Sequence, residues 1–287
     1  MFFYFFCNFT CIGIKYKDGI IAIIPSTVYN LIYRLVHSSK ILRSKDWYFN
    51  RERIIMNFIK SFFRTDKEYK YTLEKYTYKD GISAIVFYIL VMIIYYVMGV
   101  LCDRKNIYLG YEVNFFLAIL CILFAVINKH PIKTIGFGKK NLSKSLILGL
   151  VLSAVLLIIN VISGILGGYH FNTASKLILD FAYYFFVIAL VEEIIFRGFI
   201  QTRIYGIIRE PFFAVMVTAF MFMLFHIPFQ MGASHMGFWE HISNNYVTLL
   251  FTFLWHIVLN FLYAKYNSIA APTVFHAVLN WCNVLFK

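Results

Sequence analysis

Seven stretches of apolar residues, most about as long as a bilayer is thick, divide the last two thirds of this 287-residue chain. They cover roughly 81–101, 111–128, 146–166, 177–200, 212–227, 247–263 and 269–286. A helix needs about 20 apolar residues to cross the hydrocarbon core, and continuous runs of this length read as helices rather than strands. The second and fifth runs are shorter, and flanking aromatic residues would extend them. Composition agrees: 61% of the residues are hydrophobic and the mean hydropathy is +0.71, against about 45–50% apolar for a soluble domain. The expected fold is an all-α integral membrane protein, a bundle of about seven transmembrane helices.

A formal net charge of +13 would suit a nucleic-acid partner if the charges formed one surface. They lie instead between apolar runs. Fourteen of the 27 Lys and Arg precede the first run; Lys129, Lys133, Lys139, Lys140 and Lys144 fall between the second and third. The intervening loops carry few: Arg104 with Lys105, Lys176 alone, and none from Pro211 to Tyr263, while Arg203 and Arg209 are counted to the loop after the fourth run and Lys265 to that after the sixth. Basic loops stay in the cytoplasm, so the N-terminus is expected inside and, with an odd number of spans, the C-terminus outside a cell membrane crossed several times. No nucleic-acid partner is implied. Cys7, Cys11, Cys102, Cys121 and Cys282 show no paired spacing, which argues against a disulfide framework or a thiolate zinc site.

Residues 1–55 differ from the rest. The run 1–14 is too short to span, 19–36 is interrupted by Pro25, Ser26, Thr27 and Asn30, and no basic segment precedes them as a signal peptide requires. They are expected to form an N-terminal extension without a stable fold. Met56 opens a basic amphipathic leader, 56–80, where the chain is expected to begin naturally; the membrane domain proper is 81–287.

Polar chemistry is concentrated in three late runs. The fourth holds Val191-Glu192-Glu193-Ile194-Ile195-Phe196-Arg197. Each charge at a helix centre costs roughly 2.5–3.5 kcal/mol on the insertion scale, so something must offset it. Glu193 and Arg197, four apart, share a face and can pair; Glu192 points about 100° away. One carboxylate is then structural and the other free to act. Taken alone, the motif also fits a buried ion-pair network joining helices. The fifth run ends Phe222-Met223-Leu224-Phe225-His226, and the seventh holds His276-Ala277-Val278-Leu279-Asn280, each with a four-residue interval. Two such histidines and a carboxylate make up a general base and an oxyanion donor set.

Glu-Glu-x-x-x-Arg, Phe-x-x-x-His and His-x-x-x-Asn on separate late spans resemble the CAAX-protease and bacteriocin-processing (CPBP) family of intramembrane glutamate proteases. The loop Ile135-Gly136-Phe137-Gly138-Lys139-Lys140-Asn141 and the segment from Tyr263 to Pro272 are similar to that family as well. The resemblance spans about residues 57–287. It implies water activated between Glu192 and His226, an oxyanion stabilised by His276 and Asn280, and a frame held by Glu193 and Arg197 beside Phe222. It implies a membrane-associated or lipidated peptide or protein as substrate, or a role in bacteriocin immunity.

A second His-x-x-x-Asn, His256 to Asn260, lies on the sixth run. Ala271-Pro272 leads into His276 as the family's pattern expects, so the site is assigned to His276, with His256 a decoy or neighbour. No His-Glu-x-x-His, Gly-x-Ser-x-Gly or intramembrane aspartate pair points to another protease chemistry. Zinc on Glu192, His226 and His276 would be chemically reasonable, but the resemblance favours a metal-free mechanism without cofactor. The rival reading is a non-catalytic immunity or transport protein using the same cluster for binding. Nothing in the sequence specifies an oligomeric state.

Overall fold

The computed structural model describes residues 11–14, 22–25 and 64–287. The chain divides into two units, Met1–Phe63 and Arg64–Lys287. In the first, β1 (Cys11–Ile14) and β2 (Ala22–Pro25) pair antiparallel, with Cys11 opposite Pro25 and Ile14 opposite Ala22. The other residues of the expected extension, and 56–63 of the leader, lie outside the described residues.

The second unit is helical. Helix α1 (Lys67–Lys75) is started by Asp66, whose carboxylate accepts from the Glu68 and Tyr69 amides at 2.8 and 3.0 Å; such a cap satisfies donors the first turn leaves orphaned. Thr77 and Asp80 form a capping box at the head of α2 (Tyr78–Lys105). There follow α3 (Gly110–Ile127), α4 (Leu142–Leu166), α5 (174–204), α6 (Pro211–Phe225), α7 (Pro228–Ser234), α8 (Phe238–Tyr266) and α9 (Ala270–Trp281). Five helices among the described residues are long and apolar enough to cross a membrane: α2, α3, α4, α8, and α6 with α7 taken together as Pro211–Ser234. The protein is a multi-pass membrane protein. Besides the short α1, the helices outside that set are α5 and α9, which carry Glu192, Glu193, Arg197 and His276.

Exposure separates lipid-facing helices from the centre. Large apolar residues of α4 such as Ile147, Leu150, Ile158 and Ile165 are exposed, whereas every residue from Val191 to Tyr205 is buried. In α9 each residue from Ala271 to Leu279 is buried. A helix buried on all sides is a core helix, which is why α9 needs neither the length nor the apolarity of a span.

Lipid tails are as apolar as leucine, so burying apolar surface does not by itself drive these helices together; close packing and interhelical hydrogen bonds do. Tyr88 donates its hydroxyl to the Met221 carbonyl at 3.0 Å, Trp281 its indole N–H to Leu177 at 2.9 Å, and the Ala271 amide donates to Ser145 Oγ at 2.9 Å. A Cβ at Gly149 would stand 2.9 Å from the Ala271 backbone, so a glycine is what lets α4 come this close to the first turn of α9.

The two family-like segments outside the polar motifs pack on one another. Phe137 bridges to Ser268, the Ile269 amide donates to the Gly136 carbonyl at 3.2 Å, and Asn141 donates to the Tyr266 carbonyl at 3.1 Å. Gly136 has φ +90°, with Tyr263 and Ile269 where a side chain would go. The same end of the bundle holds α1, with the Asp66 amide donating to Ala264, and Glu68 within 3.7 Å of both Lys133 and Lys140. The opposite end holds Asp103 with His235, and Asn172 with the backbone at Val284 to Phe286. Residues 64 and 287 therefore sit at opposite ends.

One charge departs from the sequence reading. Arg203 counted as a loop residue, but it is 1% exposed. Its guanidinium donates to the Gly198 carbonyl at 2.7 Å and to Thr202 and Thr134, and it lies over the Tyr76 and Phe199 rings. It closes the end of α5 rather than marking a loop.

Candidate active site in the centre of the bundle

Helix α5 is not uniform. It runs α-helical over Ala174–Ala182, π-helical over Tyr183–Ala189, α-helical at Leu190–Glu192, π-helical over Glu193–Ile200 and α-helical again over Gln201–Ile204. Wide turns of this kind concentrate at functional sites, and here both glutamates lie at the junction of the two. Helix α3 supports them. Asn114 donates to the Val187 carbonyl at 3.0 Å, and the Cys121 thiol lies 3.7 Å from the Ile194 carbonyl. Tyr95 of α2 donates its hydroxyl to the Asn114 side-chain oxygen.

Glu193 and Arg197 are both 0% exposed, and Arg197 Nη1 lies 3.1 Å from Glu193 Oε1. The same oxygen is 2.9 Å from His276 Nδ1. A carboxylate flanked by a guanidinium only accepts, so Nδ1 carries the proton and donates. His276 Nε2 then faces the other carboxylate, Glu192 Oε2, at 3.8 Å. His276 thus stands between the two glutamates: one anchors it, and the other lies beyond hydrogen-bond length. Glu192 is 8% exposed, and its Oε2 has no hydrogen bond among the described residues.

His226 is placed by the end of a helix. At the last turn of α6 the His226 amide bonds to Met223 at 3.3 Å and that of Ile227 to Leu224 at 3.1 Å, before Pro228 opens α7. That tightening releases the Phe222 carbonyl from its i+4 amide, and the His226 ring takes it through Nδ1 at 2.8 Å. A carbonyl only accepts, so Nδ1 is again the protonated nitrogen and Nε2 keeps its lone pair in the neutral ring.

Phe222 joins these parts. Its ring lies 4.9 Å from the His226 ring and 6.5 Å from that of His276, with the Arg197 guanidinium carbon 4.3 Å above it. The geometry brings Glu192, Glu193, Arg197 and His276 within ion-pair range and ties His226 to them through Phe222. Asn280, half-buried one turn beyond His276, has no side-chain hydrogen bond among the described residues. His256 is fully buried and lies 3.1 Å from Gln201 Oε1 through Nε2. Among the described residues no group of three His, Cys, Asp or Glu is arranged to hold a metal ion.

Sequence reasoning missed Tyr95, Asn114 and Gln201. The signal was present for two of them. Asn114 is an amide inside an apolar run, which lipid would penalise unless it had partners. Gln201 extends the four-residue interval of Glu193 and Arg197 by one more step. For Tyr95, one of many aromatic residues on α2, no such signal exists.

Comparison with known proteins bears on the same segment. No curated protein and no solved structure matches the chain. A family profile described as type II CAAX prenyl endopeptidase Rce1-like matches residues 174–282, from the start of α5 to the end of α9, and so takes in Glu192, His226 and His276. That family consists of peptidases, hydrolases of the peptide bond. Residues 174–282 are therefore similar to the Rce1-like type II CAAX prenyl endopeptidases, in agreement with the CPBP resemblance of the sequence motifs.

Proposed function

We propose that this protein is an intramembrane endopeptidase that cleaves a membrane-associated or lipidated protein with water activated by Glu192. The observation that carries the reading is the His276 ring, fixed at Nδ1 by the buried Glu193–Arg197 pair and turned with Nε2 toward a second carboxylate without a hydrogen bond of its own.

In this mechanism Glu192 removes a proton from water as the water oxygen attacks the scissile carbonyl. The His226 Nε2 lone pair accepts the second water hydrogen as a hydrogen bond, which orients the nucleophile. The carbonyl oxygen becomes an oxyanion as the C–O bond forms. His276 can donate to it from Nε2 only as an imidazolium, since Nδ1 already donates to Glu193. The Asn280 amide is placed one turn further on to donate as well. Collapse breaks the C–N bond, and the proton held by Glu192 passes to the leaving amine. No step uses a metal.

The basic end of the bundle, with α1 and the 129–141 loop, is assigned to the cytoplasm and the end with Ser234 and the C-terminus to the outside. The deciding experiment compares membrane-associated peptides cleaved by the wild-type protein and by Glu192→Gln, which keeps size but removes the base. Cleavage should vanish while protein level is retained. If the biological activity persists in that variant, the cluster serves binding, as in an immunity or transport protein, and the peptidase reading is wrong.

A further inference from the structure

The second His-x-x-x-Asn, which the mechanism above leaves unused, docks on the same polar ladder as the first. Glu193, Arg197 and Gln201 follow at four-residue steps on α5, and all three are 0% exposed. His276 of α9 takes hold of the top step at Glu193. His256 of α8 takes hold of the bottom step at Gln201, 3.1 Å from Nε2 to Oε1. Arg197 stands between them on the ladder, paired with Glu193 at 3.1 Å. The Phe222 ring covers both, 4.3 Å from the guanidinium carbon and 5.3 Å from the His256 ring.

The tautomer of His256 follows from its neighbours. The Gln201 side-chain oxygen only accepts a hydrogen bond. The proton therefore sits on Nε2, where the Gln201 oxygen accepts it. Nδ1 is left as a buried acceptor without a hydrogen bond among the described residues, and the Arg197 N–H groups Nε, Nη1 and Nη2 are buried without one as well. An acceptor and donors of opposite need lie against the same Phe222 ring, and a buried polar group left unmatched costs about 1–3 kcal/mol.

We propose that His256 is a positioning residue: held by Gln201, it presents Nδ1 to Arg197 and so fixes the guanidinium that, through Glu193, sets the ring of His276. It touches no substrate. This rests on the peptidase reading for its effect on turnover, but the hold on Arg197 does not.

The test uses the full-length protein in detergent. His256→Phe keeps a ring and removes the acceptor; His256→Asn puts an amide oxygen where Nδ1 was; His256→Gln puts its amide near the Nε2 position instead. His256→Phe should lower kcat about 10-fold with KM unchanged, the signature of a misplaced catalytic group rather than lost substrate binding. His256→Asn should retain most of the turnover. Without substrate, the Tm shifts of His256→Phe and Arg197→Lys should miss additivity by about 2–4 °C, on the scale of one contact in a domain of this size. Additive Tm shifts, or a KM change at constant kcat, would overturn the proposal. If His256→Phe does not fold, the remaining pair decides: greater turnover in His256→Asn than in His256→Gln supports it, and the reverse order refutes it. A wild-type protein without Glu192-dependent cleavage would sink the peptidase reading, while the Tm coupling would still decide the hold on Arg197.

Discussion

Removing the Arg197 guanidinium should destabilise this protein far more than removing the Glu192 charge, though the two groups are five residues apart. Arg197 and Glu193 are both fully enclosed and 3.1 Å apart. Arg197→Ala leaves Glu193 with the His276 ring as its only near partner among the described residues and uncovers one face of Phe222. Breaking a buried pair from one side costs about 3–5 kcal/mol. At about 2–4 °C per kcal/mol for a domain of this size, Tm should fall by about 6–20 °C. Glu192→Gln loses no hydrogen bond, because its nearest ionic neighbour is 3.8 Å away. Its cost should be about 1 kcal/mol or less, a shift of about 2–4 °C at most. Thermal unfolding of both variants in one detergent, followed by tryptophan fluorescence, measures the difference directly. Equal shifts, or a larger one for Glu192→Gln, would show that the burden of charge is not divided between the glutamates as the distances indicate.

Three further outcomes are expected. Asn114→Leu strips a donor from the Val187 carbonyl and an acceptor from Tyr95; at about 0.6 kcal/mol per interhelical bond in lipid Tm should drop only about 2–5 °C, while turnover falls more than that loss of folded protein explains. An unchanged kcat would mean that the latch does not reach Glu192. Proteolysis in detergent should survive exhaustive chelation; loss on chelation with recovery on zinc alone would establish a metal enzyme. A reporter fused at Lys140 should read cytoplasmic and one at Ser234 external, and the opposite result at both points would invert the topology.

Much of this arrangement was legible in advance because lipid imposes simple rules. Length and apolarity located most of the long helices within a few residues, since a span has few ways to satisfy its backbone other than by coiling; α8 is the exception, beginning at Phe238 rather than near 247 because its first turns are polar. The four-residue step from Glu193 to Arg197 likewise needs only helix geometry. What could not be read were contacts between helices. Nothing in the sequence says that the oxygen holding Arg197 also holds His276, or that His256 meets Gln201, because those pairs join residues 83 and 55 positions apart. The π turns were equally hidden: nothing in residues 183–200 distinguishes a π turn from an α turn, and the wide turns emerge only with the neighbours that accommodate them. Arg203 was misread for the opposite reason. A lone basic residue next to a turn normally extends into solvent, and here three oxygens and two rings draw it inward.

The two rungs between α3 and α5 have a consequence for how the membrane domain can vary. Asn114 and Cys121 are seven residues apart, and so are the carbonyls they meet, at Val187 and Ile194. Matching intervals on two helices act like the teeth of a gear: either tooth can be reshaped, but the spacing on one side cannot change unless the other changes with it. One residue inserted in α3 between positions 114 and 121 would rotate one of the two groups about 100° away from its carbonyl. Substitutions there should thus be far better tolerated than single-residue insertions, and a compensating insertion between 187 and 194 would shift the glutamates themselves.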